Sequence, residues 1–71
     1  MTKSLLKADW DTIERAIEEM LNDHMRVWKS YHYFIINDDT ILVKVYDEDD
    51  KLMFTIKAKL VGEKLEVVEA W

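Results

Sequence analysis

The chain has 71 residues with one Gly, no Pro and no Cys, and 49% of its residues are apolar against 35% charged. That length suits one domain, and that composition suits a folded core rather than disorder. The lack of Cys excludes a disulfide scaffold, a cysteine nucleophile and a cysteine-ligated zinc site, and a formal charge of −5 argues against non-specific duplex DNA binding.

Residues 2–8 read either as an unstructured lead or as a short extra strand. Residues 11–29 read as one amphipathic helix. At 100° per residue, Ile13, Ala16, Ile17, Met20, Leu21, His24, Val27 and Trp28 share one face, while Arg15, Glu18, Glu19, Asn22, Asp23, Arg26 and Lys29 share the other. Asp11 with Glu14 three residues on has capping-box spacing, and Asp9 is a rival N-cap.

Past Ser30 the hydrophobic period changes to two, which predicts strands at 31–36, 41–46, 51–60 and 64–70. Gly62-Glu63 fits a two-residue turn that sets Leu60 opposite Leu65, Ala58 opposite Val67 and Lys59 opposite Glu66. A four-residue loop at 47–50 sets Val45 opposite Leu52, Val43 opposite Phe54 and Ile41 opposite Ile56. A loop at Asn37–Thr40 sets Ile36 opposite Ile41, Phe34 opposite Val43 and His32 opposite Val45. The three turns agree on one inner face, which runs from His32, Phe34 and Ile36 through Ile41, Val43 and Val45. It continues through Leu52, Phe54, Ile56, Ala58 and Leu60 to Leu65 and Val67. The expected fold is α+β in two layers: one N-terminal amphipathic helix packed on a four-stranded antiparallel β-meander, α-β-β-β-β.

One helix covers one side of a sheet. The other side is expected to carry Tyr31, Tyr33, Ile35, Leu42, Lys44, Tyr46, Lys51, Met53, Thr55, Lys57, Lys59, Val61, Lys64, Glu66 and Val68. An uncovered aromatic and aliphatic patch of that size marks an interaction surface. The expected partner-binding residues are Tyr31, Tyr33, Leu42, Lys44, Tyr46, Met53, Lys57 and Lys59, because Tyr and Met are enriched at protein interfaces while Lys favours their rims. The partner is expected to be another protein or a second copy of the chain. A second reading takes the same rings and lysines as a platform for single-stranded nucleic acid. The bland alternative is a wet sheet face whose tyrosines merely favour strands.

Residues 37–50 carry one basic group against six acidic ones, so the net charge sits in one short stretch. A third reading makes Asp38, Asp39, Asp47, Glu48, Asp49 and Asp50, with Glu14 and Glu18 of the helix, a phosphate mimic that inhibits another macromolecule. Asp47, Glu48, Asp49 and Asp50 are not an EF-hand loop, for Gly is missing at its sixth position and Ala58 stands at its twelfth. They read as a solvated hairpin loop. The simple register points Glu69 inward, opposite Ile56, where it could bond His24; a bulge or frayed strand end would instead carry it to water. Trp10 and Trp28 are expected at the margin between helix and sheet, and Trp71 either closes the core near Phe54 or stays free. Ser4 and Ser30 lack a nucleophile's context, so no catalytic residue, cofactor, metal or small-molecule substrate is expected. No apolar run spans a bilayer, and the N-terminal MTKSLLKADWD has no apolar signal region, so the expectation is a cytoplasmic protein without a membrane partner.

Overall fold

The computed structural model of the chain describes residues 5–25 and 27–71. Residues 2–4 of the expected lead, and Arg26, lie outside the described residues. Helix α1 spans Trp10–His24, followed by strands β1 Ser30–Ile35, β2 Thr40–Tyr46, β3 Leu52–Val61 and β4 Lys64–Ala70. The strands form one antiparallel sheet in the order β1-β2-β3-β4, so the α-β-β-β-β meander is the fold.

The helix starts at the rival cap: the Asp9 carboxylate accepts the Thr12 N–H at 3.0 Å, and Asp11 falls in the first turn, beside the positive end of the helix dipole. That hydrogen bond with Thr12 holds the Asp9 carboxyl below its ordinary pKa. The helix ends five residues earlier than the hydrophobic period alone suggests. Met25 is extended, at φ −136° and ψ 140°, and its N–H closes on the Leu21 carbonyl. Asn22, Asp23 and His24 are weak helix formers; beyond them Met25 and Trp28 still pack against the core, while Val27 is exposed. Trp28 turns back so that its indole N–H donates to Asn22 Oδ1 at 3.2 Å.

Ile13, Ile17, Met20 and Leu21 of the helix pack on Ile41, Val43, Val45, Ile56, Ala58 and Leu65, and Leu5, from the turn before the helix, joins this core. One flank of α1 faces β1, where Glu18 meets Tyr31. The other lies nearest β4, where Ala16, Glu19 and Met20 border Lys64 and Leu65.

The registers decide which side chains join that core. The Gly62-Glu63 turn behaves as expected: Leu60 faces Leu65, Lys59 faces Glu66, Ala58 faces Val67, and Gly62 takes φ +66°. At β2–β3 the turn is tighter. Asp47 N–H donates to the Lys51 carbonyl and Asp50, at φ 61°, donates to the Asp47 carbonyl. Met53 then enters as an unpaired residue between Tyr46↔Leu52 and Val45↔Phe54. The register therefore moves by two positions, which preserves the faces: Val43 meets Ile56 and Ile41 meets Ala58. Leu52 is the exception. Placed opposite Tyr46, it leaves the inner face and is half-exposed. Phe54 stays on the helix side but is also half-exposed, for β4 has no residue opposite it.

The β1–β2 register corrects the expectation more deeply. Ile35, not Ile36, faces Ile41; Tyr33 faces Val43 and Tyr31 faces Val45. The loop is one residue shorter because Ile36 N–H already closes on the Thr40 carbonyl, and the Asn37 side chain accepts the Asp39 N–H at 3.1 Å. A shift of one residue turns every side chain of a strand over. Tyr31, Tyr33 and Ile35 thus pack beneath the helix, while His32, Phe34 and Ile36 are exposed. In β4, Val68 is unpaired, so Glu69 faces Lys57 rather than Ile56 and reaches solvent. His24 is exposed at the helix end, far from the core position its spacing suggested.

Candidate protein-binding face

The open side of the sheet is built in rows across the strands. His32, Lys44, Thr55 and Trp71 form one row, since Thr55 and Trp71 exchange backbone hydrogen bonds of 2.8 and 2.9 Å. Phe34, Leu42, Lys57 and Glu69 form the next, and Thr40, Lys59 and Glu66 the one beyond. Tyr46 and Leu52 pair at one end, Val61 and Lys64 at the other.

Of the expected binding residues, Leu42, Lys44, Tyr46, Lys57 and Lys59 come together here, with Met53 at the bulge next to Tyr46. Tyr31 and Tyr33 do not. Phe34 and Trp71 replace them, at 57% and 64% exposure. Two ring contacts lie on the face. His32 meets Tyr46 edge-on at 5.3 Å, and the Lys44 ammonium lies 6.0 Å from the centre of the Phe34 ring. Thr55 is buried although it lies on this side, because Lys44 and Trp71 flank it in its row. Four lysines (Lys44, Lys57, Lys59 and Lys64) face two glutamates, Glu66 and Glu69, so this face is locally basic. The helix is the reverse, with Asp11, Glu14, Glu18, Glu19 and Asp23 against Arg15.

His32, Phe34, Leu52, Glu69 and Trp71 of this face escaped the period-two reading, and for Phe34 and Trp71 the missed signal is identifiable. Phe34 depends on a loop one residue shorter, for which the signal was Asn37, a residue whose side chain mimics a turn. Trp71 depends on the β4 bulge, and Val67-Val68, two adjacent apolar residues in an alternating strand, was the sign.

Tyr31 and Tyr33 belong to a second aromatic row, beneath the helix flank. Trp10, Tyr33, Tyr31 and Trp28 follow one another with ring centres 6.0, 6.3 and 5.7 Å apart. The Tyr31 hydroxyl donates to Glu18 Oε2 at 3.0 Å. Burial, and after it this bond and the Glu18 charge, raise the Tyr31 hydroxyl well above the ordinary tyrosine pKa. Burial and then the Glu14 charge raise Tyr33 in the same direction. The Tyr33 hydroxyl oxygen is buried and has no hydrogen-bond partner among the described residues.

The acidic groups do not gather. Asp38-Asp39 and the Asp47–Asp50 turn lie at opposite ends of the seven-residue strand β2, roughly 20 Å apart. The Asp47 carboxylate is turned inward on its own loop, accepting the Asp49 and Lys51 N–H groups at 2.9 and 3.0 Å. Among the described residues no three His, Asp or Glu side chains are placed to share a metal ion, and no helix is long and apolar enough to cross a membrane. No protein-family model matches the chain, and neither a curated protein nor a solved structure matches it.

Proposed function

We propose that this chain is a small non-catalytic protein-binding module, an adaptor or inhibitor of another macromolecule, that acts through the open face of its sheet. The observation that carries this reading is the row Phe34–Leu42–Lys57 beside Lys44–Thr55–Trp71, with Tyr46 at its end: three large rings and a leucine on one sheet face, with no second helix over them among the described residues. Aromatic anchors surrounded by charged groups are the anatomy of a binding hot spot with its rim. The lysines favour an acidic protein surface as the partner, while the acidic helix side repels it and so orients docking.

The test compares the wild-type chain with Leu42→Glu and Phe34→Glu variants, and with Glu19→Lys on the exposed side of the helix. Circular dichroism first establishes that each is folded. Light scattering then reads self-association, and cross-linking followed by mass spectrometry identifies a bound protein. The reading expects both the self-contact and the partner contact made by this face to disappear in the two sheet variants and to survive in Glu19→Lys. Retention of every contact by the folded sheet variants overturns it.

Single-stranded nucleic acid is the second reading, favoured by the same exposed rings interleaved with lysines. It requires affinity that falls steeply with salt and is lost in Lys57→Glu. The separation of the acidic groups to opposite ends of β2 counts against the phosphate-mimic reading, which needs one coherent negative field.

A further inference from the structure

The two edges of the sheet differ. β4 is guarded, with charges at Lys64, Glu66 and Glu69 and an unpaired Val68 that breaks its regularity. These are the devices by which edge strands avoid pairing with other chains. β1 has none of them. Residues 30–36 read Ser-Tyr-His-Tyr-Phe-Ile-Ile, with no Lys, Arg, Asp, Glu or Pro, and Tyr31 through Ile35 pair with β2 without a shift. Backbone groups of alternate residues in an antiparallel strand point to the same side. Ile36 donates to Thr40, so Phe34 and His32 likewise aim at β2, and Ile35, Tyr33 and Tyr31 aim theirs away from the sheet.

An open groove of about 580 Å³ runs beside this edge, between β1 and the helix flank. Tyr31 and Tyr33 line it with Trp10 and Trp28, and Glu14 and Glu18 line its helix side. Trp10 packs one side of its ring near Tyr33 yet remains 71% exposed. Among the described residues the one cation lining the groove, Lys29, is paired with Asp50 at 3.5 Å.

We propose that β1 takes a fifth strand: an extended segment of a partner protein with Lys or Arg at alternate positions. Its backbone pairs with the outward groups of Tyr31, Tyr33 and Ile35, and its cationic side chains lie over the aromatic row within reach of Glu14 and Glu18. Strand addition supplies the affinity through main-chain hydrogen bonds, and the groove supplies the choice of side chain. Cations over Trp and Tyr faces gain from the ring quadrupole as well as from the carboxylates. A second copy of this chain is the poorer occupant. A twofold β1–β1 seam brings the Glu14 and Glu18 of both copies to the same groove, where like charges oppose each other. This surface is separate from the open sheet face and stands without that proposal.

The probes are synthetic octapeptides: alternating Lys and Thr, alternating Glu and Thr, and the Lys-Thr peptide N-methylated on either of its two alternate sets of amides. Binding is read from the backbone amide resonances of Tyr31, Tyr33 and Ile35, their hydrogen exchange, and the indole resonances of Trp10 and Trp28. The Lys-Thr peptide is expected to shift these signals and slow exchange at the three amides. The Glu-Thr peptide and a Glu14→Lys/Glu18→Lys variant should each bind at least about tenfold more weakly. One N-methylation pattern should abolish binding and the other leave it, because only alternate amides of an added strand face the sheet. Leu42→Glu should bind the peptide as the wild type does, which separates this surface from the open face. Absence of binding at millimolar Lys-Thr peptide, equal binding of the Glu-Thr peptide, or indifference to both N-methylation patterns overturns the proposal. So does exchange protection of Tyr31, Tyr33 and Ile35 in the protein alone.

Discussion

Tyr31 and Tyr33 lie two residues apart in one strand, and removing the same oxygen atom from each should change stability in opposite directions. The Tyr31 hydroxyl donates to the Glu18 carboxylate at 3.0 Å. A hydrogen bond to a charged group contributes about 1.5–3 kcal/mol, discounted here to about 1 kcal/mol because Glu18 is exposed to water. Tyr31→Phe is therefore expected to destabilise by about 1 kcal/mol. The Tyr33 hydroxyl is buried without a partner among the described residues, a condition that costs about 1–3 kcal/mol of desolvation. Tyr33→Phe removes that cost and is expected to stabilise by about 1 kcal/mol. In a domain of this size the two variants should melt roughly 8–16 °C apart, at about 4–8 °C per kcal/mol, with the wild type between them. Thermal and urea unfolding followed by circular dichroism at neutral pH measure both. The pair also tests the β1 register. If the strand were turned over, both hydroxyls would be hydrated on the open face and the two variants would behave alike. Equal shifts, or shifts within about 0.3 kcal/mol of zero for both, refute the argument.

Ile17, fully buried between helix and sheet, should cost about 3 kcal/mol when cut to Ala, whereas Phe34→Ala on the open face should cost about 1 kcal/mol or less; urea midpoints compare them. Gly62→Ala should destabilise by about 1 kcal/mol through the backbone alone, since φ is +66° while an added Cβ meets nothing within 4 Å; an unchanged midpoint sinks this. The raised hydroxyls of Tyr31 and Tyr33 make folding favour their protonated forms. Their contribution is complete below the unfolded tyrosine pKa of about 10 and is lost as pH rises beyond it toward the folded values. Ring resonances of these two residues that titrate near pH 10 in a chain with an intact helix contradict it.

The fold was legible because each element carries its own period. Ile13, Ile17, Met20 and Leu21 recur at helical spacing, and Ile41, Val43 and Val45 recur at strand spacing in the most regular stretch of the chain. The β3–β4 register was legible too, because a two-residue turn with glycine in the left-handed region leaves the strands no freedom to slide. The open face was only half legible. Leu42, Lys44, Tyr46, Lys57 and Lys59 follow from β2 and β3, whose apolar and polar sides are distinct. In Tyr31-His32-Tyr33-Phe34-Ile35-Ile36 both alternations are apolar enough to be buried. Local pattern therefore could not choose between them. The choice came from a single residue of loop length, through the Asn37 turn and the closure of Ile36 on Thr40. Val68 likewise redirected Glu69 and Trp71. Stereochemistry along the chain determines which elements form. Where a strand offers two acceptable faces, only the packing of helix against sheet, and the loops that permit it, decides which side chains the protein presents.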